Sequence, residues 1–349
     1  MKALFLAGGK GIRLQPLTYK IPKPMIPIMN KPLLERTMVQ LKKSGISEIV
    51  ISSCYRPKYI EEYFGNGEQF GLKIQYIVED IPLGTGGAIK KAEAQFKDTF
   101  IVFNSDILSD IDIHKMLDYH KSSHASATIA VTEVSDPSAY GVVDYDADGY
   151  AISFIEKPLR GQTSSNFINA GIYIFEPEIL KEIPRDSIVS IEREIFPSLI
   201  AKGHKISVYK HSGYWMDIGT LEKYMQVHKD ITDQKCKLVD YDFSGSNVRL
   251  GKNVKIYPDV KIVGPAYIGD NVEICAKANI SHSVIGNNVF IGGGSRVIGS
   301  ILWNDINISS EVRLINTIVT SNSFINRNLN YLNTVYSHKF DRQIPIQIM

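Results

Sequence analysis

The feature that most restricts the fold is a six-residue periodicity in the second half of the chain. Apolar residues recur at Leu250, Ile256, Ile262, Ile268, Ile274 and Ile280. A second series runs two positions earlier, through Val248, Val254, Val260, Ala266, Val272 and Ala278. A helix repeats every ~3.6 residues and a strand every ~2, so neither explains six-residue spacing with Gly-Asp and Gly-Asn turns between apolar pairs. Short strands and turns wound into three-sided coils do. The register predicts a left-handed parallel β-helix of hexapeptide repeats over residues 245–335. It slips near Val284 and Ile285, then resumes in a shifted frame at Ile306, Ile308, Val312, Leu314 and Ile318. From about Asn326 no repeat is visible, and residues 336–349 read as a tail.

Residues 1–232 follow another pattern. Strand-like and helix-like segments alternate from Lys2 to about Lys229, which predicts an α/β domain with a largely parallel sheet covered by helices on both faces. Asn30 is the expected cap of a helix presenting Leu33, Leu34, Met38 and Leu41 on one face, and Gly45 ends it. Residues 233–244 read as a linker. Ligands in such sheets bind at the carboxyl ends of strands. The AGGKG loop and the NSD segment both follow predicted strands, so they are expected to share one crevice.

At 349 residues the chain has room for two domains. A net charge of +2 argues against general affinity for nucleic acid or membrane. Cys54, Cys236 and Cys275 are scattered, and no CxxC occurs. Reduced thiols in a cytoplasmic protein are the expectation. The N-terminal apolar run is too short for a signal segment and leads directly into the glycine loop.

That loop carries the first chemical signal. Lys2–Ala7 ends at Gly8, Gly9, Lys10 and Gly11, where successive backbone N–H groups can line an anion site. Lys2, Lys10, Arg13, Lys20, Lys23 and Lys31 all precede Glu35, the first acidic residue. Neither the dinucleotide fingerprint nor the P-loop pattern fits, because Leu14 stands where glycine or alanine is needed and no Gly-Lys-Ser/Thr follows. Arg13 offers planar donors to phosphate, and Lys23 offers a compact charge. Asp106 and Asp217 are either strand-end caps or, beside a phosphate loop, ligands of Mg²⁺. The Gly84–Gly87 run is either a permissive helix start or bare backbone laid against a purine. Glu156 and Asn169 can bond sugar hydroxyls and Lys157 a phosphate, although a solvated Glu-Lys pair is the plainer reading.

Together LAGGKGIRLQPLT with PKP, then LGTGGA, NSD, EKP, NAG and WMDIG, resemble the sugar-nucleotide pyrophosphorylases in residue type and order. These nucleotidyltransferases join a nucleoside triphosphate to a sugar 1-phosphate. The resemblance spans the catalytic domain and the hexapeptide region. FNSDI, SSNFINAGIYIF, SIEREIFP and GYWMDIG are most similar to the guanylyl branch that uses mannose 1-phosphate. The resemblance implies a Rossmann-like three-layer αβα nucleotidyltransferase domain that condenses GTP with mannose 1-phosphate. It implies catalytic roles for Arg13, Lys23, Asp106 and Asp217. Nucleotide contacts would come from Leu6, Ala7, Gly8, Gly9, Gly11, Arg13, Lys23, Gly84, Thr85, Gly86 and Asp106. Sugar phosphate contacts would come from Gly141, Glu156, Lys157, Asn169 and Glu192. Mg²⁺ would sit on Asp106 and Asp217.

Ile12 departs from the Thr or Ser usual at its place, and Ile81 from an acidic residue. A homo-oligomer formed through the β-helix or the catalytic domain is expected. A regulatory paralogue that senses a nucleotide sugar would be expected to lack some of Arg13, Lys23, Asp106 and Asp217, and all four are present. An acyltransferase β-helix would need a histidine base, for which His282 is nearly the only candidate. A third alternative keeps the reaction and changes the substrates to glucose or heptose 1-phosphate with UTP, dTTP or GTP.

Overall fold

The computed structural model describes residues 1–159, 161–236, 243, 246–337 and 344–345. Much of the expected linker and most of the expected tail lie outside the described residues. The chain divides into two compact units. The first comprises Met1–Lys10, Ile21–Met25 and Leu33–Asp217; the second comprises Gly11–Lys20, Ile26–Pro32 and Ile218–Met349.

The first unit is built on one sheet. Along its main path the strands run Ala151–Glu156, Gly141–Tyr145, Phe167–Phe175, Phe100–Asn104, Lys2–Leu6, Glu48–Ser53 and Lys73–Val78. Lys2–Leu6 is the hub, parallel to Glu48–Ser53 on one side and to Phe100–Asn104 on the other. The sheet is mixed rather than largely parallel. Phe167–Phe175 runs antiparallel to Phe100–Asn104 and to Ala127–Glu133. The chain before it folds as the hairpin Gly141–Tyr145 with Ala151–Glu156, not as a crossover helix, so no parallel return is made. The DADG turn, Asp146 to Gly149, closes that hairpin, with Asp146 N–H donating to Tyr150 O at 2.9 Å. Leu4, Val102, Ile129, Tyr173 and Phe175 belong to one buried cluster centred on this sheet.

Leu33, Leu34, Met38 and Leu41 are all buried on the helix Leu33–Lys43, as their spacing requires. Asn30 does not cap it. Asn30 has φ 67° in the turn between the short strands Pro27–Ile28 and Lys31–Pro32. A separate two-stranded ribbon pairs Ile107–Ser109 with Trp215–Asp217, antiparallel, with Asp217 opposite Ile107.

The second unit contains the β-helix as three stacks of short parallel strands. Leu250 registers with Ile268 and Ile256 with Ile274, eighteen residues on. Later coils are seventeen residues long, since Ile268 registers with Ile285, Ile285 with Leu302, and Leu302 with Val319. The slip near Val284 is therefore a coil shortened by one residue and kept regular afterwards. Pairing continues through the stretch after Asn326, where Tyr331 stacks on Leu314 and Tyr336 on Val319. Asparagine marks the corners because it tolerates left-handed backbone and its amide bonds to the next coil. Asn271, Asn288 and Asn322 all have positive φ, and Asn271 Nδ2 donates to Asn288 Oδ1 at 3.1 Å. At the open end of the stack Leu250 and Ile256 are 50% and 44% exposed, whereas Ile268 and Ile274 are fully buried. The helix Leu221–Thr232 belongs to the same unit, and its buried Tyr224 hydroxyl accepts from Trp303 Nε1 at 2.8 Å. Burial raises the Tyr224 pKa.

Candidate active site

The crevice expected at the strand ends exists within the first unit. A cleft of about 320 Å³ is lined by residues that include Leu6, Gly8, Gly9, Lys23, Glu79, Gly84, Thr85, Asn104 and Asp106. A larger cleft of about 590 Å³ lies in the second unit between the helix Leu221–Thr232 and the coils. Its walls are mostly apolar, and it contains none of the motif residues. Size does not select the site here; convergent charge does.

Lys23 stands on the short 3₁₀ turn Lys23–Met25. Its Nζ lies 2.5 Å from Asp106 Oδ2 and 3.8 Å from Asp217 Oδ1. The ribbon makes this possible, because Asp106 immediately precedes one of its strands and Asp217 ends the other. Among the described residues no cluster of three or more His, Cys, Asp or Glu side chains forms a complete protein metal site. Two carboxylates converging on one point do suit a hard divalent ion that completes its shell with phosphate and water oxygens.

Gly9 faces open space, and Gly8 has ordinary clearance. A Cβ on Gly9 would meet nothing within 4 Å, and one on Gly8 would meet only ordinary contacts, the nearest being Glu79 Oε1 at 3.5 Å. Of the three loop glycines only Gly11 takes a left-handed backbone. Gly11 and Arg13 group with the second unit. There Gly11 O accepts from Thr18 Oγ1 at 2.8 Å, and Arg13 is exposed on the turn Ile12–Leu14. Ile12 is 66% exposed and Ile81 57%. Ala7 is buried, its N–H donating to Ser52 O at 2.7 Å, and it does not line the cleft.

The Gly84–Gly87 run opens the helix Gly84–Lys91, as the helix-start reading expects, rather than presenting bare backbone. Its glycines are filled by protein. A Cβ on Gly84 would stand 2.6 Å from Val189 O, and one on Gly87 2.6 Å from Ser187 O. Gly86 is buried and donates its N–H to Val189 O at 2.9 Å. The run holds the segment leading to Glu192, while Gly84 and Thr85 still border the cleft.

Glu192 sits in a π-helical turn, Ile191–Ile195, whose cap Ser190 accepts from Glu192 and Arg193 N–H. Such turns recur at functional sites. Glu192 Oε2 accepts from Thr85 Oγ1 at 2.5 Å and from Ser190 Oγ at 2.8 Å. Its Oε1 accepts from Tyr173 Oη at 3.3 Å, and that hydroxyl accepts from Asn169 Nδ2 at 2.7 Å. Asn169 Oδ1 accepts from Gly171 N–H at 2.9 Å, fixing the amide at a shift of strand register. Burial, then the Glu192 carboxylate, raises the Glu156 pKa. Burial likewise pushes the Tyr173 phenol well up, so it stays protonated. Gly141 registers opposite Glu156, and a Cβ there would come 2.8 Å from Glu156 Oε2. Lys157, with φ 53°, is 57% exposed and points its Nζ to within 4.0 Å of Glu156 Oε1.

Three residues at the site escaped the sequence reading. Glu79 is 4% exposed, and its carboxylate accepts from Ser52 Oγ at 2.9 Å and Leu83 N–H at 3.0 Å. Its place three residues before the PLGT run is the signal that could have found it. Asn104 Oδ1 is buried with no hydrogen-bond partner among the described residues. Tyr173, inside an apolar strand, gives no sequence signal at all.

Residues 2–234 match the nucleotidyl transferase family, and residues 227–335 match the GMPPB C-terminal domain. The chain belongs to the nucleotidyl transferase family. Among nucleotidyl transferases it is 40% identical over 231 residues to mannose-1-phosphate guanylyltransferase of Mycobacterium tuberculosis, covering 66% of this chain and 64% of that one. The match thus spans just under two thirds of that relative. UTP–glucose-1-phosphate uridylyltransferase of Synechocystis is 34% identical over 319 residues, covering 81% and 82%. The crystal structure of HddC from Yersinia pseudotuberculosis superposes with a TM-score of 0.58 at 33% identity, covering 66% of this chain and 98% of that one. A second HddC structure, with a TM-score of 0.57, is complexed with GMP-PN. Among the described residues no helix is long and apolar enough to cross a membrane.

Proposed function

We propose that this nucleotidyl transferase condenses GTP with mannose 1-phosphate, giving GDP-mannose and pyrophosphate. The observation that carries the reaction class is the convergence of Lys23, Asp106 and Asp217 at a cleft floored by Gly8 and Gly9. A phosphate oxygen of the sugar phosphate attacks the α-phosphorus of the triphosphate. One O–P bond forms, the bond to the bridging oxygen breaks, and pyrophosphate leaves with its electron pair. The nucleophile is an anion at neutral pH, so no side chain need remove a proton. Bringing two polyanions together is the difficulty, and positioned charge answers it.

Lys23 supplies that charge at the reacting phosphates. Asp106 and Asp217 fit a divalent cation such as Mg²⁺, which when bound neutralises phosphate charge and orients the oxygens. Gly8 and Gly9 leave backbone bare toward the nucleotide. Glu156, Asn169 and Glu192 take sugar hydroxyls, with Lys157 offsetting the sugar phosphate.

Glu79 supports guanine. A buried carboxylate accepts only, and guanine alone presents two adjacent donors, N1–H and the N2 amino group, on one edge. Uracil offers a single N–H between two carbonyls. The longer match to the Synechocystis uridylyltransferase favours a second reading, UTP with glucose 1-phosphate. A cytoplasmic setting suits the free thiols of Cys54, Cys236 and Cys275.

The test is pyrophosphate release from each of four nucleoside triphosphates paired with mannose, glucose or heptose 1-phosphate. GTP with mannose 1-phosphate is expected to be the best pair. A different best pair overturns the substrate assignment, and no release from any pair overturns the reaction. Glu79→Gln is expected to lower the preference for GTP over UTP by about tenfold, the scale of one lost base-edge contact.

A further inference from the structure

The GYWMDIG motif carries Asp217, but its opening glycine has no part in the functional reading. A Cβ on Gly213 would stand 2.2 Å from Asp110 Oδ1 and 2.6 Å from His211 Cε1. Glycine there leaves room for a carboxylate and an imidazole to meet. The His211 side chain is 8% exposed. The residue ends the strand Ile206–His211, which is anchored in the main sheet by pairing His211 with Thr132. Its Nε2 lies 3.2 Å from Tyr214 O, 3.3 Å from Ser109 Oγ and 3.3 Å from Asp110 Oδ1. Tyr214 O and the Asp110 carboxylate only accept, so the bonding pattern assigns a hydrogen to Nε2. Asp110 Oδ1 is buried with no hydrogen bond among the described residues, and His211 Nε2 stands beside it at ion-pair distance.

These oxygens belong to both arms of the ribbon that brings the two carboxylates together. Ser109 ends one strand and Asp110 follows it, while Tyr214 immediately precedes the other. Asp110 N–H donates to Tyr214 O at 3.1 Å, closing the ribbon at this end. Asp106 and Asp217 lie at the opposite end, where Asp217 registers with Ile107. A two-stranded ribbon with three residues in each strand is marginal alone and needs tethers. Trp215 Nε1 supplies one, donating to Ala170 O at 2.9 Å. His211 supplies another, from the edge of the sheet. Neither His211 nor Asp110 lines the nucleotide cleft. We propose that His211 is a positioning residue for the divalent cation. By fastening the far end of the ribbon to the sheet, it holds Asp106 and Asp217 where one ion can take both. The inference rests on the functional reading above, in which those carboxylates bind the cation.

His211→Leu removes the donor at similar bulk. His211→Asn stays polar but is too short to reach the three oxygens, whereas His211→Gln can place an amide N–H where Nε2 stands. Mn²⁺ titrated into each protein with a non-hydrolysable GTP analogue, with free ion counted by electron paramagnetic resonance, reads cation affinity without turnover. His211→Leu and His211→Asn are expected to weaken Mn²⁺ binding by about tenfold, the lower end of the loss when support around metal ligands is removed. His211→Gln is expected to stay within about threefold of wild type. Hydrogen exchange across residues 107–110, measured without metal, should be faster in His211→Leu and His211→Asn than in His211→Gln. The analogue's own affinity without metal should hold in all three, since the substituted residue stands off the cleft. A residue that only supported the fold would lower the melting temperature and leave Mn²⁺ affinity where it was.

Wild-type Mn²⁺ affinity in His211→Leu, or in His211→Asn where His211→Leu does not fold, overturns the proposal alone. So does a His211→Gln protein that loses affinity as fully as His211→Asn. Failure of both His211→Leu and His211→Asn to fold overturns it as well, because His211 is then a support of the whole fold. Wild-type protein that binds the analogue but takes up no Mn²⁺ overturns the metal reading, and the proposal with it.

Discussion

Two glycine runs border the same cleft and are glycine for opposite reasons. Around Gly8 and Gly9 the protein leaves room, since a side-chain carbon on Gly9 would touch nothing. Around Gly84–Gly87 the protein fills the room with the backbone of residues 187–189. In the first run nothing in the protein's own packing demands glycine, which fits the nucleotide site proposed there. In the second, glycine lets the Glu192 segment approach, and the two segments are joined by hydrogen bonds. A glycine-rich motif is thus not one kind of feature. Its surroundings decide whether it serves a ligand or the fold.

Substitutions can break this comparison, and the largest effect is expected at Gly84. Gly84→Ala meets Val189 O and must also hold φ 73°. Overpacking and left-handed strain together cost about 3–5 kcal/mol, read as a lower urea midpoint without any ligand. Lys23→Ala sharpens the functional side. It should lower kcat by about 10²–10³-fold, the scale of removing one preorganised donor, while stability changes less. Gly9→Ala is the counterpart of Gly84→Ala. Its stability should stay within about 0.5 kcal/mol of wild type, while GTP affinity measured by calorimetry falls about tenfold.

The smallest effect is at Glu156, where the direction is set by a raised pKa. Burial and Glu192 both disfavour its charged form, so the folded protein binds the proton more tightly than the unfolded chain does. The contribution to stability is full below the unfolded pKa and is lost as pH rises through the higher folded value. Glu156→Gln should flatten the stability–pH curve across that window and raise the neutral-pH melting temperature slightly. The same substitution should weaken sugar phosphate binding.

Much of this was legible in the sequence for physical reasons. The six-residue series marked the interior of the β-helix because each coil must bury a residue at every side. Its apparent break was a seventeen-residue coil, which a fixed period cannot represent. The Asn- and Tyr-rich stretch hid its coils because corner asparagines and stacked tyrosines carry no aliphatic rhythm. At the site, Gly8, Lys23 and Asp106 were legible as glycine, cation and carboxylate at strand ends. Glu79 and Tyr173 were not, because one lone acid and one aromatic in a core strand look the same whether or not they serve a site. Asn30 was misread since a cap and a left-handed turn favour the same residue.

The difference between the two glycine runs is tested most directly by urea unfolding of wild type, Gly9→Ala and Gly84→Ala, each with and without saturating GTP and Mg²⁺. Without nucleotide, Gly9→Ala should share the wild-type midpoint and Gly84→Ala should unfold well below it. With nucleotide, the stabilising shift should be large in wild type and much reduced in Gly9→Ala. A Gly9→Ala protein that is destabilised alone yet keeps the full nucleotide shift would contradict the account.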